Sequence, residues 1–199
     1  ADENDRFYWN DKAENHKYNI CDYDKIEPLF KGVDYVFHLA AQSRIQPAIK
    51  NPVYTVKVNC EGTICVFEAG KMEGVKKIVW SSSNSIFGPA EKYKEDFILN
   101  NAPHYPQNIY GATKSFNERI SNYYFNEYGI DIIGIRYMHV YGSGQKRGFF
   151  GSLVKELVLN PSLGKPGRVT HSDAMIGWSY VDDPARATVM ASKAKTNKT

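Results

Sequence analysis

The 199 residues, 42% hydrophobic and 24% charged, have the make-up of a globular protein that buries one substantial core, or one domain with part of another. A net charge of +3 with no long Lys/Arg run speaks against nucleic-acid binding, and no apolar stretch reaches the roughly 20 residues that span a bilayer. No signal peptide opens the chain, and Cys21, Cys60 and Cys65 and the five scattered histidines lack metal-ligand spacing, which reads as a reduced, cytoplasmic protein without metal.

Residues 1–20 are polar with no clear period, and without a starting methionine the chain reads as the inside of a longer protein. Cys21-Asp22-Tyr23-Asp24 leads into a short helical stretch from Lys25 to Phe30. Val33 to Ala41 is an apolar run of the kind a buried parallel strand needs, ending in small residues where a ligand can approach the backbone. Asn59 to Lys71 has helical spacing, with Gly70 and Gly74 as turn signals at its end. Val75 to Trp80 is a second strand, delivering Ser81, Ser82 and Ser83 at its carboxyl end. After a polar connection from Pro89 to Pro106, Gly111 to Tyr128 is a long helix with Ala112, Phe116, Ile120 and Tyr124 on one stripe, stopped by Gly129. Ile130 to Tyr137 is a third strand.

Beyond Gly142 the texture changes. Gly144 to Phe150 is glycine-rich and basic, Leu153 to Leu159 a short helix, Asn160 to Pro166 a loop and Trp178 to Val181 a short strand. Asp183 then caps a helix through Met190, with Pro184 at its first position. Strands alternating with helices over short turns predict an α/β fold with a parallel sheet covered on both faces. The division falls at residue 142, with 143–199 as part of a smaller substrate-binding region interleaved with the first.

In such sheets ligands bind beyond the carboxyl ends of the strands, here Leu39 to Ser43, Ser81 to Ser85 and Tyr137 to His139. Tyr110 and Lys114 can reach the same edge, and their spacing puts them on one helix face. At about 4 Å and an effective dielectric near 20, an ammonium favours phenolate by roughly 4 kcal/mol. That would bring a tyrosine from about 10 towards 7, able to exchange protons with a sugar or alcohol hydroxyl. With 14 tyrosines and 18 lysines, chance alone gives about one pair so spaced, and Tyr8 with Lys12 is another. The convergence of three strand ends on one edge is what singles out Tyr110 and Lys114.

Seven motifs in the right order, from about Asp22 to Ala187, resemble the extended short-chain dehydrogenase/reductase family, in its branch of NAD-dependent nucleotide-sugar epimerases and dehydratases. They are Asp22-Tyr23, the D-x-V-x-H-L-A-A run of Asp34 to Ala41, the N-x-x-G-T helix start of Asn59 to Thr63, and the S-S-x-x-V-Y-G segment within Ser81 to Gly88. The Y-x-x-x-K of Tyr110 to Lys114, R-Y-x-N-V-Y-G from Arg136 to Gly142, and Y-V-D-D from Tyr180 to Asp183 complete the set. The resemblance implies a Rossmann-type doubly wound sheet and NAD as cofactor. It implies that Ser83, Tyr110 and Lys114 are catalytic, Lys114 holding the nicotinamide ribose. Asp22, Tyr23, Leu39, Ala40, Ala41, Ser43, Asn59, Ser81, Tyr137 and Met138 would line the cofactor, together with Tyr110 and Lys114. Ser83, Asn84, Tyr110, His139 and Arg147 would meet a nucleotide-sugar substrate. The helix after Asn59 and the one from Phe116 to Tyr128 would build a homodimer.

The chain departs from the family pattern in four ways. The family's opening strand and glycine-rich pyrophosphate turn are absent here, which reads as a chain that starts after them, and the substrate region reads as cut short. Asn84 and Ser85 stand where the family's sugar dehydratases carry an Asp-Glu pair, which argues against dehydration, and His139 replaces an Asn that meets the sugar nucleotide. The leading expectation is 4-epimerisation of a UDP-hexose through a transient keto intermediate. An NAD(P)-dependent dehydrogenase or reductase of the same family, and a non-catalytic dinucleotide-binding sensor, are the competing readings; an intact Ser83, Tyr110 and Lys114 disfavours the sensor, which needs no proton relay.

Overall fold

The structure, a computed structural model, describes residues 10–88, 103–143, 145, 148–168 and 177–195. Three parallel strands, β1 (Tyr35–His38), β2 (Lys77–Ser83) and β3 (Ile132–Tyr137), form a sheet in that order. Tyr35 pairs with Lys77 and His38 with Trp80; on the other side of β2, Ile78 pairs with Ile132 and Ser83 with Tyr137. The α/β architecture expected from the strand–helix alternation is present. A second, two-stranded parallel sheet joins β4 (His139–Tyr141) to β5 (Trp178–Tyr180).

The helices that matter for the site follow from local chemistry. Asn51 caps a helix at Pro52–Val56 by accepting from the Tyr54 amide, with proline pre-set for the first turn. That helix runs on through a π-turn at Lys57–Glu61 into Gly62–Met72, so the helix expected from Asn59 starts two turns earlier. A further helix at Ile45–Lys50, carrying a proline and little periodicity, was not expected. The long helix at Ile109–Tyr128 is capped by the Asn108 side chain and ends at Gly129, whose φ of 68° suits glycine. The last helix, Asp182–Lys193, begins at Asp182 and runs past Met190 to Lys193; Asp183 pairs with Arg186 rather than capping. The expected helix at 153–159 is longer, spanning Gly148–Val154, Lys155–Leu159 and Asn160–Ser162. Among the described residues no helix is long and apolar enough to cross a membrane.

The apolar core joins Val66 and Phe67 of the Gly62–Met72 helix to Ile78 and Trp80 of β2, Ile132 of β3 and Tyr124 of the long helix. Two glycines make room for it. A Cβ on Gly134 would stand 2.9 Å from the Trp80 ring, so β3 is narrow where the indole crosses it. Gly70, expected as a turn signal, lies buried inside its helix, where a Cβ would meet Ile78 Cδ1 at 2.7 Å. Its role is close packing on β2.

Two expectations are corrected by burial. Val33 to Ala41 reads as a buried strand, yet only Tyr35–His38 is extended, and Tyr35 and Phe37 are 45% and 43% exposed. Among the described residues β1 pairs with β2 alone, so half its side chains face outward. On the long helix the expected apolar stripe divides: Ile120 and Tyr124 pack on the core, whereas its first part is turned out. Ala112 and Phe116 are exposed, while Thr113, Lys114, Ser115, Asn117, Glu118 and Ser121 are buried. Burying polar groups is costly unless they find partners; Asn117 Oδ1 lacks one among the described residues, and the partners of the other groups define the site.

Candidate active site

β2 ends in Ser83, whose extended backbone makes it the cap of a short turn at Asn84–Ile86; its Oγ accepts from the Ser85 amide at 3.1 Å. The long helix starts directly against this turn. A Cβ on Gly111 would lie 2.2 Å from the Ser85 carbonyl oxygen, so only glycine lets the helix seat there. That contact delivers Tyr110 to β2, where the Ser83 hydroxyl acts to lower the pKa of its phenol. Asn84 Oδ1 lies 3.5 Å from Ser83 Oγ, an amide with no acidic proton beside the pair.

Lys114, one turn on, points inward. Its Nζ donates to the Ser81 carbonyl at 2.6 Å, stands 3.5 Å from Ser81 Oγ, and lies 5.8 Å from the Tyr110 ring centroid. Burial lowers its pKa to about 8, with no carboxylate among the groups acting on it. The expectation that Lys114 draws Tyr110 towards neutral pH is not met in this arrangement. Burial raises the Tyr110 pKa, and the opposing influence is the Ser83 hydroxyl. The ammonium's direct partner is Ser81, so at neutral pH the pair is a phenol beside an ammonium, the proton-donating state.

Asn59 sits on the π-turn and is 1% exposed. Its Oδ1 accepts from the Gln42 amide at 2.7 Å, and its Nδ2 donates to Gln42 O at 3.1 Å and to Thr113 Oγ1 at 3.0 Å. Both amide hydrogens are thus used inside the protein, and Asn59 holds the Leu39 to Ser43 segment instead of offering those hydrogens to a ligand. Thr113 in turn donates to Tyr110 O at 2.7 Å, so the segment after β1 and the start of the long helix are tied through one side chain. The π-turn leaves Asn59 O to accept from Thr63 Oγ1 at 2.6 Å and Asn117 Nδ2 at 3.0 Å. Because the Thr63 hydrogen is spent there, the buried His38 Nε2, 2.9 Å from Thr63 Oγ1, must be the protonated nitrogen. Burial, then the Lys114 charge, lowers the His38 pKa to about 3.

A second cluster lies on the other side of Ser83. Glu118, 4% exposed, accepts from Ser82 Oγ at 2.5 Å and Arg136 Nε at 2.9 Å on Oε1, and from Arg136 Nη2 at 2.7 Å on Oε2. His104 Nε2 is 3.2 Å from Oε2, and its Nδ1 is 2.7 Å from Ser115 Oγ.

The remaining expected residues divide. Leu39 is 56% exposed and Met138 48%, with Ala40 and Ser43 also exposed and Ala41 half-buried, as open positions at the strand ends. Tyr137 pairs with Ser83 across the sheet, but its hydroxyl is bonded to Thr188 Oγ1. His139 is exposed and lies 5.7 Å from the Trp178 ring, centroid to centroid. Asp22 pairs with Lys25 at 3.5 Å beside the half-buried Tyr23, while Ile20 and Cys21 pack on Gly62. Arg147 lies outside the described residues. Among the described residues no three His, Cys, Asp or Glu side chains gather as a metal site. Gly111, Thr113, Gln42 and Glu118 escape the sequence reading. Glu118 alone carries a signal there, since it continues the Tyr110–Lys114 spacing by one more turn.

The sequence pattern of the NAD dependent epimerase/dehydratase family matches residues 2–199. The UDP-glucuronate 4-epimerase of Thermodesulfobacterium geofontis is 31% identical over 189 residues, 92% of this chain and 56% of that protein. Among solved structures, the UDP-glucose 4-epimerase of Thermotoga maritima with UDP-glucose superposes with a TM-score of 0.81 at 27% identity, covering 92% of this chain and 60% of that one. The UDP-glucuronic acid 4-epimerase of Bacillus cereus, in complex with UDP-glucuronic acid and NAD, gives 0.76 at 28% identity, covering 91% and 56%. The chain therefore spans little more than half the length of these relatives.

Proposed function

The chain belongs to the NAD dependent epimerase/dehydratase family, and from that premise we propose that its protein is an NAD-dependent epimerase of a nucleotide-activated sugar, inverting C4 of a UDP-hexose through a transient keto intermediate. The observation that carries the reading is the seating of Tyr110 against the turn that Ser83 caps, at the mouth of the sheet, with a buried ammonium one helical turn away.

The residues present fit the cofactor. Lys114 uses one strong hydrogen bond on Ser81 O, and an ammonium has three hydrogens, so it keeps donors for a ribose diol. Leu39, Ala40 and Ala41 offer small or apolar surface after β1, and Met138 offers the same after β3. NAD supplies the hydride acceptor and returns the hydride. Ser83 orients the reacting sugar hydroxyl, and Tyr110 exchanges its proton at Oη. The Lys114 ammonium holds the polar end of the site through Ser81. Asn84 beside Ser83 offers no carboxyl group for elimination, which supports epimerisation over dehydration. Residues 143–199 contribute to the substrate region, with His139 and Arg147 towards the nucleotide sugar. The outward apolar residues Phe116 and Tyr123 of the long helix, with Val53 and Tyr54, support a homodimer face, and three free cysteines accord with a reduced, cytoplasmic setting.

The test is to supply the full-length protein with a panel of UDP-sugars and follow interconversion. Epimerisation without net NADH is expected; net NADH would move the assignment to a dehydrogenase. Tyr110→Phe should lower turnover by roughly two or more orders of magnitude while sparing sugar binding, and unchanged turnover would remove Tyr110 from the reaction.

A further inference from the structure

Past Trp80, among the described residues, β2 has a strand neighbour on one side only. β1 ends at His38 opposite Trp80, while β3 pairs on to Ser83. The three residues that carry the site, Ser81 to Ser83, therefore pair with a strand on one side only, and side chains brace them further: Lys114 holds the Ser81 carbonyl, and Ser82 supplies a second brace. Its hydroxyl donates to Glu118 Oε1 at 2.5 Å, and its partner across the sheet, Arg136, makes a bidentate pair with the same carboxylate. Arg136 also lies over the Phe87 ring at 5.0 Å, beyond the turn that Ser83 caps. His104 closes the remaining side of the carboxylate and reaches Ser115. One carboxylate thus joins the end of β2, the end of β3, the long helix and the segment that leads into it.

We propose that Glu118 is a positioning residue of the reaction, acting through the Ser82 hydroxyl to fix the end of β2 and so the approach of Ser83 to Tyr110. The proposal rests on the reading of Ser83 and Tyr110 as the proton-exchanging pair. A purely structural ion pair would stabilise the protein without acting through Ser83. The chain's geometry sets a different requirement: Ser82 adjoins Ser83 where β2 pairs on one side only, and Glu118 lies two helical turns from Tyr110 on the same face.

Ser82→Ala removes the link and leaves the Glu118–Arg136 pair in place. In the full-length protein it should lower kcat by roughly tenfold with KM within about twofold. With 13C-labelled tyrosine, the Tyr110 resonance, assigned by its loss in Tyr110→Phe, should titrate at higher pH in Ser82→Ala as the influence of the Ser83 hydroxyl weakens. In a Ser83→Ala background, Ser82→Ala should have no further effect on kcat, because the two act as one unit. Ser82→Cys, close in size but a poor donor, carries the same expectations should the alanine variant not fold. An unchanged kcat and Tyr110 titration, or an effect of equal size in the Ser83→Ala background, overturns the proposal. If Ser83→Ala and Tyr110→Phe themselves leave turnover intact, the proton-exchange reading falls first; if they abolish it while Ser82→Ala is silent, only the role of Glu118 falls.

Discussion

Lys114 is 2% exposed and faces no carboxylate, its amine bonded to a backbone carbonyl. Its pKa falls from 10.5 to about 8 by burial, so the folded state binds this proton less readily than the unfolded chain does. Stability from this group is therefore full above pH 10.5 and lost as pH falls through about 8, a cost of roughly 3 kcal/mol at pH 7. Lys114→Met removes that cost but also the bond to Ser81. The expected balance is a gain of about 1–2 kcal/mol in denaturant melts together with loss of turnover, the pattern of a residue kept for chemistry. A methionine variant less stable than wild type would mean that the Ser81 bond outweighs the burial. His38 makes a second pH prediction. With its pKa lowered from 6.5 to about 3, it contributes stability above pH 6.5 that drains away as pH falls towards 3, roughly 2 kcal/mol by pH 5. His104, lowered by burial, acts in the same direction. Denaturation at pH 8 and pH 5 should show this slope in the wild type and a flatter one in His38→Gln, and equal slopes would place the acid sensitivity elsewhere.

At the scale of elements, the strands and the long helix could be read from apolar runs and punctuating glycines, because a parallel sheet forces both. Tyr110 and Lys114 could be read from their spacing. The face that the helix buries could be read only in its second half, at Ile120 and Tyr124: in the first half hydrophobicity points to Ala112 and Phe116, whereas the helix packs through Thr113, Ser115, Asn117 and Glu118. Some of their partners lie far off in the chain, 36 residues for Ser82 and Glu118 and 58 for Asn59 and Asn117, and no local pattern announces them. Gly111 is the same case, since its need for a missing Cβ comes from Ser85. Gly111→Ala would put Cβ 2.2 Å from a backbone oxygen, and the helix must move off the Ser83 turn. The expected result is a loss of about 1–3 kcal/mol and a disproportionate loss of turnover. Gly129→Ala is the control. Its φ of 68° carries backbone strain with nothing within 4 Å, so it should cost about 1 kcal/mol and spare kcat. Equal effects on kcat would mean that the seat of the helix does not govern the site.

In the molecule as a whole, the chain beyond residue 142 packs back on the sheet. The helix at Asp182–Lys193 returns from the later segment to pack on β2 and β3, burying Thr188 and Ser192. Thr188 takes the Tyr137 hydroxyl at the carboxyl end of β3. At the opposite end of the sheet the Ala194 carbonyl accepts from the buried Lys77 ammonium, which also pairs with Asp131 at 2.8 Å. The later segment therefore clamps both ends of the strands that carry Ser83 and Tyr137. Cutting the chain after Gly142 would strip the final helix from β2 and β3, leave Tyr137 without Thr188 and remove the Ala194 acceptor of Lys77. The truncated chain is expected to lose its cooperative thermal transition by circular dichroism, or to melt at least about 10 °C lower than the 199-residue chain. A cooperative melt within a few degrees of the parent would make residues 1–142 a domain in their own right, and the final helix an ornament on it.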